Sequence, residues 1–148
     1  MITALDSSVL ILIQRRQPGW EVWRDAITQA ATEGSLVMSP VVFAECSIGF
    51  SSAGLALQQF ESIQIRYDSI SHGAAYLAGQ TFLRYRSEGG PRQHLIPDFL
   101  IAAHASKQAD RLAAIDRGYL RRYFPNLLLL AVGIAPAEGG AKGLKSAR

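Results

Sequence analysis

Four carboxylates in this chain stand where a fold can bring them together. Asp6 closes a short apolar run, residues 2–5, and is followed by two serines and the apolar segment 9–13. Asp116 ends the run 112–115 in the same relation, and Asp98 follows Pro97 at the start of an alanine-rich apolar segment. Glu45 lies in Val41-Val42-Phe43-Ala44-Glu45-Cys46-Ser47-Ile48, and residues 40–60 contain no lysine or arginine to pair with it. Each acid also has a structural reading. An aspartate between a strand and a helix is a preferred N-cap, worth about 1 kcal/mol, and a carboxylate in a first helical turn is favoured by free N–H groups and the helix dipole. Glu45, among residues that favour burial, needs a route to solvent or a partner. Together the four say more, because acids crowded at one site repel one another unless a cation neutralises them. Oxygen ligands without a cysteine or histidine pairing suit Mg²⁺ or Mn²⁺ rather than zinc, and such ions serve phosphoryl chemistry by activating water and stabilising a leaving oxygen.

The elements that must position these acids follow from the hydrophobic pattern. Residues 2–5, 36–38, 65–67, 112–115 and 127–132 read as strands. Trp20, Trp23, Ile27 and Ala30 recur at helical steps and stop before Gly34. Ser39-Pro40 reads as a cap with proline at the first helical position, opening the helix that carries Glu45. Further helices are expected over 55–63, from Ser71 to Gly89-Gly90-Pro91, and from Pro97 to Lys107, with a polar loop Arg92-Gln93-His94 between the last two. The order β-α-α-β-α-α-β-α-α-β-(short helix)-β predicts a three-layer α/β/α domain with a mainly parallel sheet of four to five strands. In such a sheet the C-terminal strand ends share one edge, so Asp6 and Asp116 meet there, and Asp98 starts a helix near it.

A chain of 148 residues suits a single domain. Its 49% hydrophobic and 18% charged residues exclude wholesale disorder. No apolar run reaches the roughly 18 residues a membrane span needs, and the N-terminus lacks a secretory pattern. The lone Cys46 excludes an internal disulfide and fits a reducing, cytoplasmic setting. The net charge of +3 is weak support for a nucleic-acid partner: residues 136–148 carry +2 of it, leaving +1 for the body. That last segment is rich in Ala, Gly and Lys and reads as a flexible tail over 135–148.

Other side chains admit two readings. Ser7 and Ser8 suit a phosphate or a metal-bound water at a helix start, or capping. Asp68 is better placed for a turn and cap than as a fifth acid. His104 could act as a base, though a packed or solvated histidine is the simpler reading, and Cys46 reads as a small buried hydrophobe. Arg84, Arg86 and Arg92 flank Gly89-Gly90, and Arg111, Arg117, Arg121 and Arg122 stand around the last acid in sequence. They suit either an anionic partner or plain solvation. Trp20 and Trp23 read as core cover, or as part of a groove for a partner helix.

Four segments in order carry a family resemblance: Leu5-Asp6-Ser7-Ser8-Val9-Leu10, Ser39-Pro40-Val41-Val42-Phe43-Ala44-Glu45, Ile96-Pro97-Asp98-Phe99-Leu100-Ile101-Ala102-Ala103-His104-Ala105, and Ile115-Asp116-Arg117-Gly118-Tyr119 with Tyr123-Phe124-Pro125. Over residues 1–132 the chain resembles PIN-domain proteins of the VapC toxin type. The resemblance implies a PIN-like, Rossmann-like nuclease domain over 1–134 and Mg²⁺- or Mn²⁺-dependent cleavage of RNA. It also implies homodimerisation and inhibition by a small VapB-like antitoxin. Asp6, Glu45, Asp98 and Asp116 match the family's acids. The chain departs from the pattern at Ala114, where many relatives carry threonine or serine two residues before the last acid. That departure keeps open a binding module with a weak or inactive site. A third reading, an aspartyl-phosphate phosphatase of the haloacid-dehalogenase kind with Asp6 as nucleophile, favours a second aspartate where Ser8 stands.

Overall fold

The computed structural model describes residues 1–90, 95–115 and 118–132. Asp116 and the polar loop residues Arg92, Gln93 and His94 lie outside the described residues, as do Arg117 and the expected tail. Elements follow in the expected order: β1 (Thr3–Leu5), α1 (Ser7–Gln14), α2 (Trp20–Glu33), β2 (Leu36–Met38), α3 (Pro40–Cys46), α4 (Ala53–Ser62), β3 (Ile65–Tyr67), α5 (His72–Ser87), α6 (Leu95–Gln108), β4 (Arg111–Ala113) and α7 (Tyr119–Tyr123).

The four strands form one parallel sheet in the order β3-β2-β1-β4. Every residue of β1 and β2 is buried, whichever face it points to. That is the expectation for a parallel sheet covered by helices on both sides. β3 is an edge, and its Arg66 and Tyr67 face solvent. Residues 127–132, expected as a fifth strand, make a single parallel bridge, Leu112 to Leu129, beside β4. The chain there supplies only two ladder bonds, Leu112 N–H to Leu128 O at 2.8 Å and Leu130 N–H to Leu112 O at 2.9 Å.

The strand order sets the location of the site. The chain steps outward from β1 through β2 to β3 and then returns to the other side of β1 for β4. The direction of winding reverses between β1 and β4, the place at which open α/β sheets take their ligands. Asp6 follows β1 at that point, and its N–H still donates to Ala113 O at 2.9 Å.

Helix starts follow local chemistry. Ser39, Ser52 and Ser71 cap α3, α4 and α5 through side-chain oxygens that accept from Val42, Leu55 and Ala74 N–H groups. Gly34 ends α2 because a side chain there would collide with the backbone of Met1. α6 begins at Leu95, two residues ahead of Pro97, so the proline sits in its first turn, where a missing N–H is harmless. The core centres on Leu5, Val9, Val37, Val42, Phe99 and Leu112, all essentially inaccessible.

Candidate active site at the carboxylate edge

Asp6 is the N-cap of α1: its Oδ2 accepts from the Ser8 N–H at 3.2 Å and from the Ser8 hydroxyl. Both bonds fall on one oxygen, and no described residue bonds to Oδ1. Capping therefore consumes half of the carboxylate and leaves the other half for a ligand. Ser8 Oγ also accepts from the Ile115 N–H at 3.4 Å. One hydroxyl thus ties the acid after β1 to the loop after β4, a single residue before Asp116. The sequence showed a serine at a helix start but not this bridge, since its two ends are 107 residues apart.

Glu45 occupies the last turn of α3 and is exposed, so of the two alternatives, a route to solvent or a partner, it has the route to solvent. α3 is short, and Val42 and Cys46 take its inward positions while Glu45 turns to solvent. The carboxylate still lacks a cationic partner among the described residues. α3 packs against α1, the helix that Asp6 caps. Burial pushes the neighbouring Cys46 thiol up to about 12, and the charges of Glu45 and Asp6 add to the shift. Cys46 is thus a packed thiol rather than a nucleophile, and both acids lie within electrostatic reach of one sulfur. Asp98 sits in the first turn of α6, half-buried, beside the fully buried Phe99. α6 packs against α3, so the helices bearing Glu45 and Asp98 are neighbours.

The donor set suits a hard divalent ion, since every candidate ligand is a carboxylate oxygen. Among the described residues, no three His, Cys, Asp or Glu side chains form a ligating cluster. The described acids therefore do not make a metal shell by themselves, and Asp116 lies outside the described residues.

His104 does not face this edge. It is buried, with Nε2 at 2.8 Å from Asp68 Oδ2, and Gln108 Nε2 donates to the same oxygen at 3.0 Å. Gln108 also donates to Ser69 O at 2.7 Å and accepts from Ser71 N–H at 2.9 Å. Ser71 rather than Asp68 caps α5, and Asp68 fastens α6 to the β3–α5 connection.

The arginines divide. Arg111 opens β4 at the opposite edge of the sheet, where it donates to Thr3 Oγ1 at 2.8 Å and to Glu33 Oε1 at 2.5 Å. This contact is the main reason the Glu33 carboxyl titrates below its usual value. Arg84 and Arg122 instead lie over the Tyr123 ring, 5.1 and 5.3 Å from its centroid. Arg122 pairs with Glu88 at 3.2 Å, and the Tyr123 hydroxyl donates to the same Glu88 oxygen at 2.6 Å. The tyrosine hydroxyl first, then the two guanidiniums, hold Glu88 below the usual carboxylate range. Trp23 is core cover, whereas Trp20 is stacked by Arg16 and Arg24, each 5.0 Å from its ring.

An open parallel α/β sheet with carboxylates at the C-terminal side of its winding reversal defines a Rossmann-like class in which ligands meet the strand ends. The model of the PIN domain family matches residues 3–125, and the chain belongs to that family. Comparison with curated proteins gives no sequence match. Among solved structures, VapBC2 from Rickettsia felis, bound to a DNA fragment from its promoter, superposes with a TM-score of 0.65 at 18% identity, over 87% of this chain and 97% of that one. VapBC-1 from nontypeable Haemophilus influenzae gives 0.64 at 20%, covering 87% and 96%. VapC20 of Mycobacterium tuberculosis, a Sarcin-Ricin loop cleaving toxin, gives 0.58 at 16%, covering 81% and 94%. At these identities the likeness establishes the fold.

Proposed function

We propose that this PIN-domain chain is a divalent-metal-dependent endoribonuclease and acts as the toxin of a toxin–antitoxin pair. The observation that carries the reading is the place of Asp6: at the winding reversal, half of its carboxylate uncommitted, with the helix of Glu45 packed against α1 and the helix of Asp98 packed against that of Glu45. Asp6, Glu45, Asp98 and Asp116 would hold one or two Mg²⁺ or Mn²⁺ ions. A bound ion of this kind supplies an acidified water and neutralises charge on the leaving oxygen. Ser8 holds Asp6 Oδ2, and Oδ1 would be the oxygen free to ligate the ion. An ionised carboxylate of the set takes the proton of the attacking water.

The partner in this reading is a VapB-like antitoxin, in keeping with the VapBC complexes that share the fold. An apolar trough of about 390 Å³ between α1, α2 and the α4–β3 turn, lined by Leu10, Ile13, Ile27, Ala31 and Ile63, suits a partner helix. Homodimerisation draws support from Tyr76 and Leu83, two turns apart on α5 and 69% and 62% exposed. Among the described residues no helix is long and apolar enough to cross a membrane, and the proposed setting is the cytoplasm.

The test is cleavage of mixed RNA with Mn²⁺ or Mg²⁺ titrated against EDTA. Wild-type protein should cut only with metal, while Asp6→Asn and Asp98→Asn, folded by circular dichroism, should not. Metal-independent cutting, or full activity in both variants, overturns the reading. Ala114, buried and without a hydroxyl, favours one second reading, an inactive domain that only docks its partner. Absence of cleavage by wild-type protein over a full metal titration would select it.

A further inference from the structure

A nuclease whose acids line the cutting edge has an electrostatic difficulty, because that edge repels the polyanion it must hold. The substrate then needs positive charge close to the edge but outside the acid cluster. The body of this chain supplies little on average, +1 before residue 136, so the distribution decides. The last turns of α5 and α7 bring Arg84 and Arg122 together on the Tyr123 ring, two guanidiniums against the one carboxylate of Glu88. Ring packing links this pair to α6, the helix that carries Asp98. Phe99, next in sequence to Asp98, meets Tyr123 and Tyr119 at 5.9 Å and Tyr85 at 5.4 Å between ring centroids, and Tyr123 carries the two arginines.

We propose that Arg84 and Arg122, seated on Tyr123, form a subsite for RNA backbone phosphates flanking the scissile bond. The proposal rests on the nuclease reading for its substrate. Geometry supports a phosphate ligand in three ways. A guanidinium presents a planar fork that matches phosphate oxygens bidentately and is weakly hydrated. Both forks here are pre-positioned by the Tyr123 ring, and Glu88 holds Arg122 at 3.2 Å while leaving its side chain 68% exposed. A strand lying across the acid edge has phosphates on both sides of the cut, and one side runs over this patch. An acidic peptide segment is the rival occupant, but it has no need to follow the path of the cut strand.

The experiment measures binding of a fluorescein-labelled single-stranded RNA of mixed sequence in EDTA, so that cleavage plays no part, across a series of salt concentrations. Counterion release gives about 0.7 in the slope of log affinity against log salt for each phosphate contact on a single strand, or about fivefold in affinity at 0.1 M salt. Arg84→Gln/Arg122→Gln should lower the slope by about 1.4. Arg24→Gln, a charge-matched change on α2, should leave it nearly unchanged. Glu88→Gln should bind RNA more tightly than wild type, an increase that mere loss of a structural contact would not give. Arg84→Lys/Arg122→Lys keeps the charge and should keep the slope while weakening binding, and it decides the matter if the glutamine pair melts early. An unchanged slope in the glutamine pair, or weaker binding in Glu88→Gln, overturns the subsite and leaves the metal-dependent cleavage test standing. So does loss of antitoxin binding with RNA binding intact, which would assign the patch to the acidic peptide.

Discussion

The two edges of the sheet treat charge in opposite ways. At the N-terminal edge Arg111 and Glu33 neutralise each other, and Thr3 takes a further bond, so the charges there are consumed by the fold. At the C-terminal edge Asp6, like Glu45 on the neighbouring helix, has no cationic partner among the described residues, and the bonds that hold Asp6 come from the N–H and the hydroxyl of Ser8, both neutral. A carboxylate paired with arginine is stabilised but spent. One held by a serine is oriented and keeps its negative charge for a ligand. The contrast separates acids that build the molecule from acids left available to act.

The contrast can be broken by moving function to the wrong edge or by removing it from the right one. Asp6→Asn should have the largest effect: cleavage should fall by more than about 100-fold, beyond the 10–100-fold cost of losing an outer-shell partner, with little change in Tm. Ser8→Ala comes next. Loss of the bridge to Asp6 and Ile115 should weaken the apparent Mn²⁺ affinity in the cleavage assay by about 10–100-fold, and Ser8→Thr should restore most of it. An unchanged metal dependence in Ser8→Ala would reduce Ser8 to an ordinary cap. Arg111→Met should do the reverse, lowering Tm by a few degrees while cleavage by the folded protein stays the same.

The smallest effect concerns pH. Glu33 titrates below its usual 4.5 in the folded protein, so near that pH the unfolded chain binds more protons. Its contribution to stability is complete above about pH 4.5 and is lost as pH falls through the folded value. Glu33→Gln should therefore lose less Tm than wild type between about pH 6 and about pH 3.5. An identical loss in both would show that the Arg111 contact does not persist in solution.

Much of this was legible in the chain itself. The β-α-α repeats showed as apolar runs of three to four residues separated by helical periodicity, and serines marked the caps of α3 and α5. The acids at strand ends and helix starts were visible for the same reason, since a charge that interrupts an apolar run is a local event. What stayed hidden was non-local. Arg111 bonds to Thr3 and Glu33, 108 and 78 residues away, and no local pattern announces those partners. Glu45 looked buried because its neighbours are apolar, but a helix of seven residues has an outward face that sequence alone did not assign. The bonds from Asp68 to His104 and Gln108 join residues 36 and 40 apart, and no period in the sequence announces them.

Titration of Mn²⁺ into metal-free protein, followed by calorimetry, asks whether the C-terminal edge holds an ion at all. Wild-type protein should bind Mn²⁺, Asp6→Asn and Asp98→Asn should each lose most of that affinity, and Glu33→Gln at the other edge should bind as wild type does. Equal binding by wild type and both aspartate variants, or none by wild type, would contradict the assignment of this edge.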